Sequence, residues 1–175
     1  MKRIAIIDTS ILCCWLKVPG KETCGSSDKI IDYNSANNMI KKAMDDGMYL
    51  VLPLAVIIET GNHIAHAKNS DRYKIAKALG KIMNKAADEE SPWSAFTEQN
   101  NLWDANSLKQ LAKEWPEKAA REVSLGDATI SKVADYYSLM GCEVSILSGD
   151  QLLASYVPAK PVRTPRRRQH SKNRL

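Results

Sequence analysis

The sequence contains no apolar run long enough to cross a membrane, no closely spaced pair of metal-binding cysteines and no internal repeat. A membrane-spanning helix needs roughly 18 or more uncharged apolar residues, so we expect no membrane partner. Structural zinc sites usually draw their thiolates from CxxC-like pairs, and the four cysteines include none. We therefore expect free thiols in a reducing compartment and a cytoplasmic protein.

The length and composition of the chain predict a single globular domain. The chain has 175 residues, of which 44% are hydrophobic, and this fraction is ordinary for a globular protein. A domain of this size buries roughly two-thirds of the surface of its unfolded chain, so it needs no disulfide or structural metal. We predict one domain over residues 1–157, with an extended helical region over 68–122 inside it.

Positive charge is concentrated at the C-terminal end of the chain. Seven basic residues and no acidic one lie between Lys160 and Leu175, while the whole chain has a net charge of +5, so residues 1–159 carry −2. We predict that residues 158–175 form a disordered tail that is either solubilising or RNA-binding. RNA phosphates would then contact Arg163, Arg166, Arg167, Arg168, Lys172 and Arg174.

Short apolar runs alternate with helical patterns along the chain. Continuous apolar runs predict buried strands at 4–7, 50–52 and 143–147. Helical patterns occur at 35–46, 54–66, 70–90, 104–121 and 126–141, and a polar stretch at 89–101 separates the third helix from the fourth. This order indicates an α/β fold with a central parallel β-sheet flanked by helices on both faces.

Four acidic residues lie where such a sheet binds its ligands. Asp8 and Asp150 directly follow the first and last strands, and parallel sheets bind ligands beyond the carboxyl ends of their strands. Glu59 lies about two turns into the helix after the second strand. Asp127 lies in the first turn of the helix before the last strand. We predict that these four carboxylates converge.

A convergent group of carboxylates indicates a bound cation. Like charges a few ångströms apart repel one another in a partly desolvated pocket, and a divalent ion removes that repulsion. Oxygen-only ligands favour Mg²⁺ or Mn²⁺. The corresponding chemistry is phosphodiester hydrolysis, in which the metal activates a water and stabilises the pentacovalent phosphorus.

The same residues resemble the motifs of the PIN-domain nucleases. The resemblance covers positions 3–157 and consists of Asp8-Thr9-Ser10, Pro53 with Glu59, Gly126-Asp127-Ala128 and Ser148-Gly149-Asp150. It implies a PIN-like fold and a metal-dependent endoribonuclease in which Asp8, Glu59, Asp127 and Asp150 bind one or two Mg²⁺ or Mn²⁺ ions. By the same resemblance, Thr9 and Ser148 support the site, and the products carry 5′-phosphate and 3′-hydroxyl ends.

The resemblance also concerns partners. Toxin-like members of the family form dimers and are silenced by an antitoxin, whereas other members process ribosomal or messenger RNA. It therefore implies an RNA substrate and, for a toxin, an antitoxin protein and a homodimer. No family motif occurs within 68–122, so the RNA that is cleaved stays open.

Each acid also has a purely structural alternative. Asp8 and Asp127 suit helix caps, Glu59 suits a solvated helix face, and Asp150 suits a turn. The alternative function is a non-catalytic module that binds RNA or a protein through a PIN-like fold. Phosphatases of the haloacid dehalogenase type also place an Asp after the first strand, but they need a second Asp where this chain has Ser10.

Several residues near these acids have two interpretations. His63 and His66 follow Glu59 at helical spacing, which is compatible with a zinc site or, for His63, with RNA contact, although no HExxH motif is present. Asn62 either supports the site by a hydrogen bond or is an ordinary surface residue. Asp135 is predicted to be a surface carboxylate. Core packing or stacking on unpaired bases is expected of Trp15, Trp93, Trp103 and Trp115.

Overall fold

Strands and helices alternate along the chain. The computed structural model describes residues 1–68 and 71–160. Its strands are β1 (Arg3–Ile7), β2 (Cys24–Ser26), β3 (Lys29–Ile31), β4 (Tyr49–Leu52), β5 (Trp93–Ala95) and β6 (Glu143–Leu147). Its helices are α1 (Thr9–Trp15), α2 (Tyr33–Asp45), α3 (Leu54–Ala65), α4 (Arg72–Ala87), α5 (Asn100–Trp103), α6 (Ala105–Ala119), α7 (Leu125–Leu139) and α8 (Gln151–Ala154). A 3₁₀ turn covers Thr97–Gln99.

Four strands form the central sheet in the order β5-β4-β1-β6, and every neighbouring pair is parallel. The strands β2 and β3 form a separate antiparallel hairpin. Because β1 lies inside the sheet, the chain builds β4 and β5 on one side of it and then returns to place β6 on the other. All four strands end at the same edge of the sheet, where the ligand crevice of such folds lies.

Helices cover both faces of the sheet. Consecutive residues of a strand point to opposite faces, and Ile4, Ala5, Ile6 and Ile7 are all buried. This burial explains why β1 has a continuous apolar run rather than an alternating pattern. The predicted α/β fold with a central parallel sheet is therefore confirmed. Among the described residues, no helix combines the length and apolar character that a membrane crossing requires.

The helix α7 has defined caps at both ends. At its start, Asp127 N donates to Ser124 Oγ at 3.0 Å. At its end, Gly141 adopts a φ of 84° and Cys142 N donates to Tyr137 O at 3.0 Å, as in a Schellman motif. The helix predicted over 126–141 is thus confirmed within two residues of its ends.

The strand β5 lies in the stretch 89–101, where the sequence predicts only a polar connection, so that prediction was wrong. Trp93 pairs with Leu50 of β4. Its side chain is buried and stacks on Trp15 with the ring centroids 5.9 Å apart. Three residues without a β-branched side chain give a weak local signal, and pairing with β4 together with burial of the indole defines the strand.

The central position of β1 makes its core residues sensitive to truncation. Ile6 is fully buried, whereas Ile30 in the hairpin is 65% exposed. We expect Ile6→Ala to lower the free energy of unfolding by about 2–5 kcal/mol, because it removes buried methyl groups and leaves a cavity. Ile30→Ala is the matched control and should change the free energy of unfolding far less. Urea denaturation measures both, and similar losses in the two variants would contradict the buried position of β1.

Candidate functional site

All four predicted acids line one cleft at the carboxyl edge of the sheet. The cleft has a volume of about 320 Å³. Its walls come from the start of α1, the segment before β2, the hairpin itself, α3, α7 and the turn after β6. The lining residues are Asp8, Thr9, Ser10, Cys13, Lys21, Thr23, Cys24, Glu59, His63, Asp127 and Asp150.

Asp8 lies at the base of the cleft and is only 5% exposed. Its Oδ1 accepts a hydrogen bond from Thr9 N at 2.6 Å, so Asp8 also caps α1. Its Oδ2 accepts hydrogen bonds from Ser10 Oγ at 2.6 Å and from Ser148 Oγ at 2.7 Å. The capping role and the position in the cleft therefore coexist.

Ser10 connects the first and last strands of the site, and sequence reasoning missed it. In addition to donating to Asp8, its Oγ accepts a hydrogen bond from Gly149 N at 2.9 Å. Ser148 Oγ in turn accepts from Asp150 N at 3.0 Å. The only sequence signal for Ser10 is a hydroxyl two positions after a strand-end acid, which is too common to identify a site.

Glu59 reaches the cleft from α3 and is half-buried rather than solvated. Its Oε2 accepts a hydrogen bond from Thr9 Oγ1 at 2.8 Å. On its other side the carboxylate lies against the backbone of Gly126, where any added Cβ would overlap with Glu59 Oε1. The absence of a side chain at Gly126 therefore leaves the space that this carboxylate occupies.

Asp127 combines a cap with a destabilised charge. Its backbone N donates to Ser124 Oγ at 3.0 Å, which caps α7, and its Oδ2 accepts a hydrogen bond from the same hydroxyl at 2.8 Å. The pKa of Asp127 is raised above its ordinary value, first because burial disfavours the ionised form, and further because Asp8 and Asp150 are negative. The Ser124 hydroxyl opposes this shift. The negative charges of two neighbouring carboxylates thus destabilise the ionised form of Asp127.

The helix α3 places His63 in the cleft but not Asn62. His63 lines the cleft together with Lys21, and its pKa is lowered by burial and then by the positive charge of Lys21. Asn62 is exposed, and its backbone oxygen lies 2.8 Å from His66 Nδ1. Sequence reasoning missed Lys21, which lies in an unassigned stretch and has no distinguishing pattern.

Comparison with known proteins adds no assignment. No family model, curated protein or solved structure matches this chain. The resemblance to PIN-domain nucleases therefore stays a prediction, and the function has to be argued from the chemistry of the cleft.

The carboxylates fit a hard cation by their donor chemistry. Among the described residues, Glu59 Oε1, Asp127 Oδ1 and Asp150 Oδ2 accept no hydrogen bond, and Asp8 Oδ1 accepts only that of Thr9 N. Such an all-oxygen set suits Mg²⁺ or Mn²⁺. In the present side-chain conformations, residues 1–68 and 71–160 contain no group of three Asp, Glu, His or Cys side chains that could hold a metal ion. Binding would therefore require these side chains to turn toward a common point.

Asp135 is not the surface carboxylate that the sequence predicts. It accepts hydrogen bonds from Tyr156 OH at 2.9 Å and from Ala159 N at 2.8 Å, so it holds the segment after α8 against α7. The pKa of Tyr156 rises to about 12, because the phenol is partly buried and donates to this carboxylate. The predicted RNA-binding residues Arg163, Arg166, Arg167, Arg168, Lys172 and Arg174 lie outside the described residues.

The raised pKa of Asp127 predicts a pH-dependent stability. A group whose pKa is raised by folding stabilises the fold below its ordinary pKa and loses that contribution as the pH rises through the raised value. We expect Asp127→Asn to raise the free energy of unfolding at neutral pH in EDTA, because the amide removes the charge and can still accept from Ser124. Urea denaturation at neutral and at strongly acidic pH measures this, and the gain should vanish in acid.

Asp104 provides the matched control for this change. Its carboxylate accepts hydrogen bonds from the backbone of Ser107 and Asn106, and these hold the pKa of Asp104 below its ordinary value. Asp104→Asn should therefore not stabilise the protein at neutral pH. A gain of equal size at both sites, or a gain for Asp127→Asn that persists in acid, would contradict the assigned origin of the shift.

Proposed function

We propose that this chain is a PIN-like endoribonuclease that hydrolyses RNA phosphodiester bonds with Mg²⁺ or Mn²⁺. The observation that carries the proposal is the cleft itself. Four carboxylates line it at the carboxyl edge of a parallel sheet, and the charges of Asp8 and Asp150 contribute to the raised pKa of Asp127. Acids that line one cleft, one of them with a pKa raised in part by the others, are typical of cation-dependent centres.

Each acid has a definite role in this proposal. Asp8, Asp127 and Asp150 would hold the ion or ions, and Glu59 would hold a second ion or orient the attacking water. When bound, such an ion supplies a more acidic water and stabilises the charge that develops on the phosphoryl oxygens. The remaining requirement is that the four carboxylates keep a defined position.

Hydroxyl groups of the chain supply that position. Ser10 and Ser148 both donate to Oδ2 of Asp8, and Thr9 donates to Oε2 of Glu59. These donors are neutral, so they orient each carboxylate without cancelling its charge. Because each donor lies near the end of a strand or the start of a helix, Asp8 and Glu59 are each held in a defined orientation.

A toxin role, with an antitoxin protein and a homodimer as partners, stays a prediction. The observation that tests it most directly is the neighbouring gene. A small DNA-binding antitoxin encoded there, which forms a complex with this chain and stops RNA cleavage, would support the role. An isolated gene whose product cleaves RNA would favour RNA processing instead.

The alternative is a non-catalytic module that binds RNA or a protein. It is favoured by the three hydrogen bonds that already satisfy Asp8 and by the lack of an assembled metal-holding group among the described residues. Mn²⁺ titration separates the two functions, because an ion that binds the folded state raises its stability by mass action. A nuclease should show saturable thermal stabilisation that Asp8→Asn abolishes, whereas a binding module should show none.

The direct test of the proposal is RNA cleavage in Mn²⁺. We expect Asp8→Asn and Asp150→Asn to reduce the cleavage rate more than the roughly 100-fold that is lost when a residue behind a metal ligand is removed. Asp45→Asn, an exposed acid at the end of α2, is the matched control and should retain full activity. Gel analysis of structured and unstructured RNA measures the rates. Equal cleavage rates in all variants, or no cleavage with any metal ion, would refute the proposed enzymatic function.

The contact between Glu59 and Gly126 gives a second test. Gly126→Ala should displace the Glu59 carboxylate from Thr9, because the added methyl group overlaps with it. Since the end of a Glu side chain is flexible, we expect the fold to be kept while Mn²⁺ affinity falls by about tenfold or more. Calorimetric titration measures the affinity.

Gly61→Ala is the control for this change, because it makes the same substitution in a helix where an added Cβ meets nothing within 4 Å. It should leave Mn²⁺ affinity unchanged. If Gly126→Ala also leaves the affinity unchanged, Glu59 has no part in binding the ion.

A further inference from the structure

A second cavity opens directly beside the carboxylate cleft. It has a volume of about 450 Å³ and shares Lys21 and His63 with the cleft. The turn Pro19–Lys21 forms one wall, and the end of α3 with the residues after it forms the other. We call the residues Lys21, His63, His66 and Lys68 the basic arm. Among the described residues, no acidic side chain lines this cavity.

No ion pair among the described residues involves a lysine of the basic arm. Lys21 and Lys68 are both exposed. The acid nearest to Lys21 in sequence, Glu22, accepts a hydrogen bond on its Oε2 from Gly20 N at 2.9 Å. The lysine charges are therefore available to an anion that enters the cavity.

The turn that carries Lys21 is anchored in the core. Val18 is fully buried, and its N donates to Cys13 O at 3.0 Å. Lys21 N then donates to Val18 O at 2.8 Å, and Gly20 adopts a φ of 81° that allows the chain to reverse. Lys21 thus stands at a defined place, at the junction of the two cavities.

The carboxylate cleft itself is too acidic to attract a phosphodiester. Asp8, Glu59, Asp127 and Asp150 are acidic and Lys21 is the one lysine or arginine among the residues that line the cleft. A phosphodiester is an anion, so this cleft repels it before any cation binds. Attraction must come from beside the acids, and the basic arm begins where the cleft ends.

We propose that the basic arm is the subsite for the sugar–phosphate backbone of an unpaired RNA strand whose neighbouring phosphate enters the carboxylate cleft. This inference rests on the proposed function. Grooves for single strands combine cations for the phosphates with flat rings for the bases. The lysines of the arm supply the cations, and the imidazoles of His63 and His66 are rings on which unpaired bases stack.

The salt dependence of RNA binding tests the arm separately from catalysis. We expect the double variant Lys21→Gln, Lys68→Gln to bind a single-stranded oligoribonucleotide more weakly in EDTA, where a metal-dependent enzyme does not cut. The slope of log K against log salt should become shallower by about 1.4, because each lost phosphate contact on a single strand removes about 0.7. Fluorescence anisotropy of the full chain measures the slope.

Two lysines outside the arm give the matched control. Lys77 and Lys81 are exposed on α4 and line neither cavity, so Lys77→Gln with Lys81→Gln should leave the slope unchanged. An unchanged slope in the arm variant, or the same loss in both double variants, would overturn the proposal. So would an equal loss of affinity for polyglutamate, because the arm would then be a general anion surface.

The salt slope tests the basic arm, and RNA cleavage by the wild type tests the nuclease, so the two proposals can fail separately. If the wild type does not cleave RNA in any metal but the arm variant loses the expected slope, the nuclease is refuted and the backbone subsite is supported. If the wild type cleaves RNA and the slope is unchanged, the subsite is overturned while the nuclease is supported.

Discussion

Four carboxylates line one edge of the sheet, and the repulsion of Asp127 by Asp8 and Asp150 is the constraint around which the site is arranged. Within the described residues, none of the four forms an ion pair with a basic side chain. The neutral hydroxyls of Thr9, Ser10, Ser148 and Ser124 donate to Glu59, Asp8 and Asp127, and backbone N–H groups of α8 donate to Asp150. Such donors hold the acids in place but leave their charge intact. The fold therefore carries a destabilised charge at Asp127, which the cation of the proposed function would neutralise, as is common where stability is given up for function.

The topology makes this cluster possible. Because β1 and β6 are neighbours and parallel, the residues that follow them meet although they are distant in sequence, and the bond from Ser148 to Asp8 spans 140 positions. The two helices that flank this edge add Glu59 and Asp127, and the absence of a side chain at Gly126 leaves room for the Glu59 carboxylate. No single segment contains the site, so its geometry depends on the whole sheet being formed.

This dependence also explains what the sequence could and could not predict. Burial on both faces leaves a continuous apolar run, so β1 and β6 and the acids at their ends were predictable. β5 was not, because a three-residue strand defined by its pairing with β4 has no local pattern. Lys21 and Ser10 were missed for a related reason: which turn packs beside the cleft is decided by tertiary contacts, and a lone Lys or Ser carries no periodic signal.

The distribution of charge ties binding to chemistry. A net charge of +5 says little about the cleft, because the described residues place four acids in one cavity and two lysines with two histidines around the next. In the proposed function, the acids of the first cavity would repel an RNA strand, and the basic arm would hold the strand beside them until a bound cation offsets their charge. Cation binding and strand binding then assist each other, because each reduces the electrostatic cost of the other. A site of this kind separates recognition from cleavage, since the residues that attract the strand are not those that would hold the ion.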